Sequence, residues 1–186
     1  MVKIEKNPTA TVMPCPAVLI SAYDKNEKAN AMTAAWIANI CHQPPSVAVA
    51  IRPSRYTYEL IEQTGCFAVN IPGVENVKET DYFGIISGRD EDKFEKTGLT
   101  TTKGKKVQVP LINEFPINLE CKVTAKHTIG THDVIIGEIL LVHYEEEIIV
   151  GGRVDPLKAD ILAYAAGNYY SLKEKIGVFG FSVKEE

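Results

Sequence analysis

Two long apolar segments joined by a tight turn constrain this chain more than any other feature. Residues 117–128 and 133–144 are rich in β-branched residues and meet across Gly130-Thr131, which reads as a hairpin. In the second segment Val134, Ile136, Leu140 and Val142 fall on one face, and Ile135, Ile139 and Leu141 on the other. A strand that is apolar on both faces has to be covered on both. A closed barrel with a further layer, or with a second subunit against it, meets that requirement. Glu138 shares the first face, an awkward place for a lone carboxylate, and is expected to be structural.

The remaining strands are shorter. Residues 17–23 form an apolar strand that returns through the polar turn 24–28 into the segment beginning at Asn30. Past Pro44-Pro45, Val47, Val49 and Ile51 alternate with Ala48 and Ala50, a period of two with one bulkier face. The pattern then predicts a helix over 58–63 ended by Gly65, a strand over 66–71 stopped by Pro72-Gly73, a short helix over 74–83, and a loop over 84–99 with one more helical turn. A polar, glycine-containing loop over 145–156 and an apolar C-terminal tail follow the hairpin. Short antiparallel strands with few helices favour a mainly β fold, a barrel rather than a doubly wound sheet. The 186 residues suit one domain spanning 1–186, long enough to bury roughly 70% of its unfolded surface.

Composition excludes several classes of function. A formal charge of -4 argues against nucleic acid as a partner, since binding along phosphates needs a basic surface. No stretch approaches the ~20 apolar residues of a membrane-spanning helix, and the first residues carry no signal-like apolar block, so a cytoplasmic protein is expected. Cys15, Cys41, Cys66 and Cys121 are widely separated, without CxxC spacing; they read as small buried thiols and give no support to a metal site. Neither G-x-G-x-x-G nor the P-loop pattern occurs, so a nicotinamide cofactor would bind without its usual domain. The acidic run 90–92 is expected to be solvated and the basic cluster 103–106 to be an exposed loop.

One cluster has the chemistry of an anion site. Arg52, Ser54, Arg55 and Thr57 surround the predicted helix start, where unpaired N–H groups and the dipole favour a phosphate. The alternative is that Ser54 or Thr57 caps the helix and the arginines face solvent. Just upstream, Met32 to Ala35 supply small side chains that let backbone approach a ligand, and Trp36, the only tryptophan, either stacks on an aromatic ring or fills the core.

These residues also resemble a known family. Asn30-x-Met32-Thr33-x-x-Trp36, Pro44-Pro45, Arg55-x-Thr57, Phe67-x-Val69-Asn70, Ser87-Gly88-Arg89 with Lys93-Phe94, and Gly130-Thr131-His132 leading to Gly137-Glu138 are similar, in order, to the flavin reductase-like, FMN-binding split-barrel proteins, which include flavoredoxins and an archaeal ferric reductase. The resemblance implies a homodimeric split β-barrel with a few short helices and one FMN per subunit near the dimer interface. It implies that Thr33, Ala34 and Ala35 lie along the flavin and that Trp36 approaches its ring. Arg55 and Thr57 would hold the phosphate with Arg52 assisting, and Asn30, Ser87 and Lys93 would line the pocket. Tyr164, Gly167 and Tyr169 correspond to a C-terminal flavin-edge segment, with Tyr170 competing for the place of Tyr169. His132 would sit by the flavin or the electron donor as a catalytic group, being able to change charge near neutral pH; its other reading is a backbone contact at the hairpin. His42, His127 and His143 match no motif and read as structural or surface residues.

Three functions follow as expectations. The first is an oxidoreductase taking electrons from NADH or NADPH through bound FMN to free flavin, ferric complexes or another small-molecule or protein acceptor. The second is an FMN electron carrier of flavoredoxin type without its own nicotinamide turnover. The third is a cofactor-free barrel binding oligonucleotides or a protein, which the net acidity and the lack of a basic stripe disfavour.

Overall fold

In the computed structural model, which describes residues 1–183, the chain runs β1 (Cys15–Pro16), β2 (Val18–Tyr23), β3 (Ala29–Ala34), β4 (Ile37–His42), β5 (Pro45–Ile51), α1 (Tyr56–Thr64), β6 (Cys66–Ile71), α2 (Val77–Ile85), α3 (Lys93–Thr97), β7 (Thr101–Lys103), β8 (Pro110–Ile112), β9 (Ile117–Ile129), β10 (His132–Tyr144), β11 (Ile149–Val150), β12 (Arg153–Val154), β13 (Leu162–Ala165) and β14 (Asn168–Ser171). The long hairpin of β9 and β10 pairs from Ile117 opposite Tyr144 to Ile129 opposite His132. Its ladder is interrupted between Ile136 and Gly137 and again between Ile139 and Leu141. At the second break Leu140 is an extra residue, and a bulge of one residue reverses which side of a strand faces inward. Ile135 and Ile139 therefore reach the core before it and Val142 after it, whereas a strict period of two puts Val142 with Val134.

Seven strands form one antiparallel sheet in the order β3-β2-β6-β9-β10-β5-β4. Its two edges, β3 and β4, are consecutive in the chain and separated only by Ala35 and Trp36. The chain thus passes from one edge to the other in two residues, which curls the sheet into a barrel left unladdered along that seam, a split barrel. The interior is filled by Val18, Ile20, Val47, Val49, Ile51, Phe67, Cys121 and Ile135, and α1 plugs one end with Leu60 and Ile61. Gly137 is required by this packing, because a Cβ there would come within 2.6 Å of the Phe67 ring.

A second cluster, Leu19, Ala31, Phe83, Leu99, Ile112 and Phe115, sits outside the barrel where α2 and β8 cover β2. All six residues of β2 are buried, so the strand covered on both faces by its own chain is β2. On β10 the outward Val134, Ile136 and Leu140 are only half-buried, and Glu138 is half-buried among them. Asn70 ties the layers together: its Nδ2 donates to Leu19 O (3.1 Å) and Ser21 Oγ (2.8 Å), and its Oδ1 accepts from Ile112 N (3.0 Å) and Asn118 Nδ2 (2.9 Å).

The helices depart from the sequence reading in detail. α1 starts at Tyr56 and ends as expected at Gly65, which holds φ 67°. The predicted 74–83 helix is a 3-10 turn, Val74–Asn76, followed by α2, which runs on to Ile85. The acidic run is not simply solvated. Asp92 caps α3, accepting from Phe94 N (3.1 Å) and Glu95 N (3.2 Å), and pairs with Lys28 at 3.0 Å. Of the cysteines only Cys66 and Cys121 are buried; Cys15 is half-buried and Cys41 exposed, and all four are free.

Candidate functional site

The predicted ligand residues converge on the seam of the barrel. One chamber, about 190 Å³, lies at the N-terminus of α1 between Asn30, Arg55, Thr57, Ser87 and Lys93. A second, about 210 Å³, is walled by Thr33, Ala34, Ala35, Trp36, Arg52, Arg55 and His132. Met32, Thr33 and Arg55 border both, so the two form one groove.

The electrostatics of the first chamber favour an anion. Arg55 precedes α1 with extended backbone (φ -77°, ψ 136°), and no side chain caps the helix. The capping alternative for Thr57 fails because its Oγ1 accepts instead from Asn30 Nδ2 at 2.8 Å. The N–H groups of Tyr56 and Thr57 meet no acceptor among the described residues, leaving the positive end of the helix open. Arg55 itself forms no ion pair among the described residues. Arg89 is occupied by contrast: it pairs with Glu59 at 2.8 Å, donates to Ser54 O at 3.2 Å and lies 5.1 Å from the Tyr56 ring centroid, bracing the wall. Gly88 brings the opposite wall so near that a Cβ would lie 1.9 Å from Asn30 Oδ1.

Lys93 sits at the base of this chamber and is buried, which is rare for a lysine without a carboxylate partner. Its ammonium donates to three backbone carbonyls, Ala31 O (2.5 Å), Phe83 O (3.2 Å) and Ile86 O (3.0 Å), clasping β3 to the end of α2. Burial, and then the charge of Arg55, lower its pKa to about 8. The free guanidinium of Arg55, the uncapped helix end and the hydroxyls of Thr57 and Ser87 have the donor chemistry that suits a phosphate monoester, and Lys93, its three N–H groups spent on carbonyls, adds charge alone. FMN carries such a group, and the residues present fit it.

The second chamber is more open, with two arginines, Arg52 and Arg55, on its wall. Thr33 Oγ1 donates to Thr80 O, which anchors β3 to α2. Trp36 is half exposed at 49% and therefore does not fill the core; its ring leans on His132, centroids 4.9 Å apart at 42°. His132 Nε2 accepts from Arg52 Nε at 3.4 Å, and Nδ1 lies 2.9 Å from Thr131 Oγ1. Burial, then Arg52 and Arg55, hold the His132 pKa below its ordinary value. A neutral ring that accepts at Nε2 carries its proton on Nδ1 and donates it to Thr131.

Eleven of the thirteen predicted residues border the groove; Tyr164 and Tyr169 border neither chamber. They face each other on the β13–β14 hairpin, rings 5.5 Å apart and edge to face. Tyr169 OH donates to Asp81 on α2 at 3.2 Å, and burial followed by Asp81 pushes its pKa up to about 12. Tyr170 is exposed. Phe83, Gly84 and Ile86 wall the anion chamber and escaped the sequence reading, because the end of a short helix carries no signal of what faces it.

Known proteins share the sequence pattern and the fold. The family model described as flavin reductase like domain matches residues 10–173. The flavoredoxin of Desulfovibrio vulgaris (Miyazaki F) has the same fold with a TM-score of 0.93 and 35% identity, covering 98% of this chain and 100% of that one. An uncharacterised protein of Archaeoglobus fulgidus is 44% identical over 114 residues, 61% of this chain; the match spans 64% of that relative's length. The ferric-chelate reductase (NAD(P)H) of Archaeoglobus fulgidus is 26% identical over 157 residues, 82% of this chain and 84% of that protein. With the family model matching most of its length and the flavoredoxin fold matching nearly all of it, the chain belongs to the flavin reductase-like, FMN-binding split-barrel family.

Proposed function

We propose that this protein binds FMN along the seam and works as an oxidoreductase, moving electrons from NADH or NADPH through the flavin to free flavin, ferric complexes or another acceptor. The observation that carries this reading is the pair of uncompensated cations, Arg55 and buried Lys93, at the uncapped start of α1. Arg55, Thr57 and Ser87 would bond the phosphate, with Arg52 nearer the ring chamber. Asn30 sets the Thr57 hydroxyl by its hydrogen bond. Thr33, Ala34, Ala35 and Trp36 would flank the ring, and His132, whose Nε2 is taken by Arg52, would sit at its edge against Trp36. Bound FMN supplies hydride and single-electron chemistry, so binding, orientation and electrostatics are what the chain contributes. Tyr164 and Tyr169 are the weaker part of the proposal, since one subunit holds them away from the groove.

A homodimer fits the half-buried outer face of β10 and the small Ala48 and Ala50 beside it on β5, an apolar strip next to the ring chamber. Four free cysteines, one of them exposed, suit the reducing cytoplasm. Among the described residues no helix is long and apolar enough to cross a membrane.

The 35% identity to a flavoredoxin keeps a second reading alongside, an FMN carrier that does not itself turn over nicotinamide. Anaerobic mixing of the FMN-loaded protein with NADH and with NADPH separates the two. The reductase bleaches the flavin's blue absorbance with at least one donor; a flavin bleached by dithionite and by neither nucleotide makes the protein a carrier. Apo-protein that fails to bind FMN at all removes both.

Lys93 gives the affinity a pH signature. An anion beside it favours its protonated form, so FMN binding is expected to be flat from pH 6.5 to 7.5 and to weaken as pH rises through about 8, by at most about tenfold per pH unit. Fluorescence titration across pH 6.5–9.5 measures it, and Lys93→Met should flatten the profile. A wild-type affinity independent of pH would detach Lys93 from the site.

A further inference from the structure

We infer that residues 176–183 are an arm that packs into the apolar groove beside Trp36 of a second copy of this chain, closing that copy's ring chamber. The inference rests on the dimeric reading above and adds to it the segment that makes the contact.

Beyond β14 the chain makes no hydrogen bond or ion pair to the rest of the molecule among the described residues; the bonds over 172–183 all lie within that segment. Its apolar side chains are in water: Ile176 is 91% exposed, Phe179 108%, Phe181 62% and Val183 84%. Unstructured tails that belong in water are polar and poor in aromatics. Residues 176–183 are the reverse, with no charge, two phenylalanines and three aliphatic residues. Such a segment is built to be buried, and its own subunit does not bury it.

The groove that matches it has a volume of about 430 Å³ and is walled by Val12, Ala35, Trp36, Ala38, Ala48 and Val134, with no charged side chain on its lining. Small alanines on two neighbouring strands leave room for a ring, and the absence of charge on both surfaces removes any desolvation penalty. The other large cleft, near residues 153–157, is lined by Arg153, Asp155, Lys173, Glu174 and Lys175 and suits an uncharged arm poorly. Ala35, Trp36 and Ala50 are common to the apolar groove and the ring chamber, so an occupant of the groove forms one wall of the chamber. Extended at ~3.3 Å per residue, the eight-residue arm spans about 26 Å, enough to reach onto a neighbour. Two-fold symmetry makes the exchange reciprocal, each copy giving an arm and receiving one.

Two measurements on the FMN-loaded protein test this. In light scattering across a dilution series, the full chain is expected to be a dimer, and a chain ending at Lys175 to dissociate at concentrations at least tenfold higher. In a Cys15→Ser, Cys41→Ser background, Phe179→Cys on one tagged chain and Ala38→Cys on a differently tagged chain are expected to form a disulfide between the two chains. A full chain that is monomeric refutes the dimer and the arm together. A dimer indifferent to truncation, without the 179–38 bond between chains, refutes the arm and leaves the dimer standing. The cysteine pair decides the matter even if the shortened chain folds poorly.

Discussion

Glu120→Ala is expected to lower stability by about 3–5 kcal/mol, because it removes several hydrogen bonds to a buried carboxylate, each worth about 1.5–3 kcal/mol when the acceptor is charged. Glu120 is completely buried, and both its oxygens are in use. Oε1 accepts from Lys105 N (2.8 Å) and His143 Nε2 (2.7 Å), and Oε2 from Lys106 N (2.6 Å) and Val107 N (2.9 Å). Alanine would leave four donors without an acceptor and release the turn between β7 and β8. Gly104 belongs to the same latch, since a Cβ there would come 2.7 Å from Oε2. For a chain of 186 residues, a melting temperature lower by roughly 6–20 °C follows. The pH dependence has a definite sign. Burial pushes the Glu120 pKa up, but His143 and the three loop N–H groups outweigh it and hold the carboxyl below its ordinary value of 4.5. The stabilisation is therefore complete above pH 4.5 and lost as pH falls through the lower, folded value. Thermal melts of wild type and Glu120→Gln should differ widely at pH 7 and converge as pH falls through the lowered, folded pKa; a gap that ignores pH would assign the loss to packing alone.

The exposed basic loop expected at 103–106 thus has solvent-facing side chains over a backbone fixed from below, and this illustrates where sequence stops informing. Alternation located β5, β-branched composition located β9, and Gly65 and Gly130 marked true breaks because both hold positive φ, 67° and 58°. The proposed anion site was legible because helix starts and arginines are local features. Lys93 was legible only as a residue that matches a family position: nothing in a five-residue helix says its first side chain turns inward onto three carbonyls. Glu120 was invisible for the same reason, its partners lying 13 to 23 residues away along the chain. The reversal of β10 at Leu140 was also out of reach, since a bulge depends on the partner strand's register and leaves the apolar pattern of its own strand unchanged. The seam was legible as small residues next to a tryptophan, but that these residues join the two sheet edges is a property of topology. Tyr164 and Tyr169 lie away from both chambers within one subunit, packed on each other with Tyr169 bonded to Asp81, a placement their motif does not reveal.

Arg55→Ala should raise the FMN dissociation constant by about 10- to 100-fold, because each charge-assisted hydrogen bond to phosphate is worth roughly 1.5–3 kcal/mol and every 1.4 kcal/mol is a factor of ten. Arg55 borders both chambers and has no competing acid among the described residues, so its guanidinium is free for the ligand. Riboflavin, which has the ring without the phosphate, supplies the control: its affinity should change little in the same variant. Equal losses for both ligands would move Arg55 from the phosphate to the ring, and unchanged FMN affinity would remove it from the site. Arg55→Lys is expected to recover only part of the loss, since an ammonium lacks the planar fork that meets two phosphate oxygens at once. The alanine variant also bears on Lys93. Arg55 is one of the two causes of the depressed Lys93 pKa, so without it Lys93 should hold its proton to higher pH. The alkaline fall in FMN affinity should then move upward from about 8 in Arg55→Ala, although binding is weaker throughout. Loosened packing around Lys93 would also raise its pKa, since burial is the larger cause of the depression, so the melting temperature of Arg55→Ala is the control; weaker binding with a higher pH midpoint at an unchanged melting temperature would place both cations at one anion.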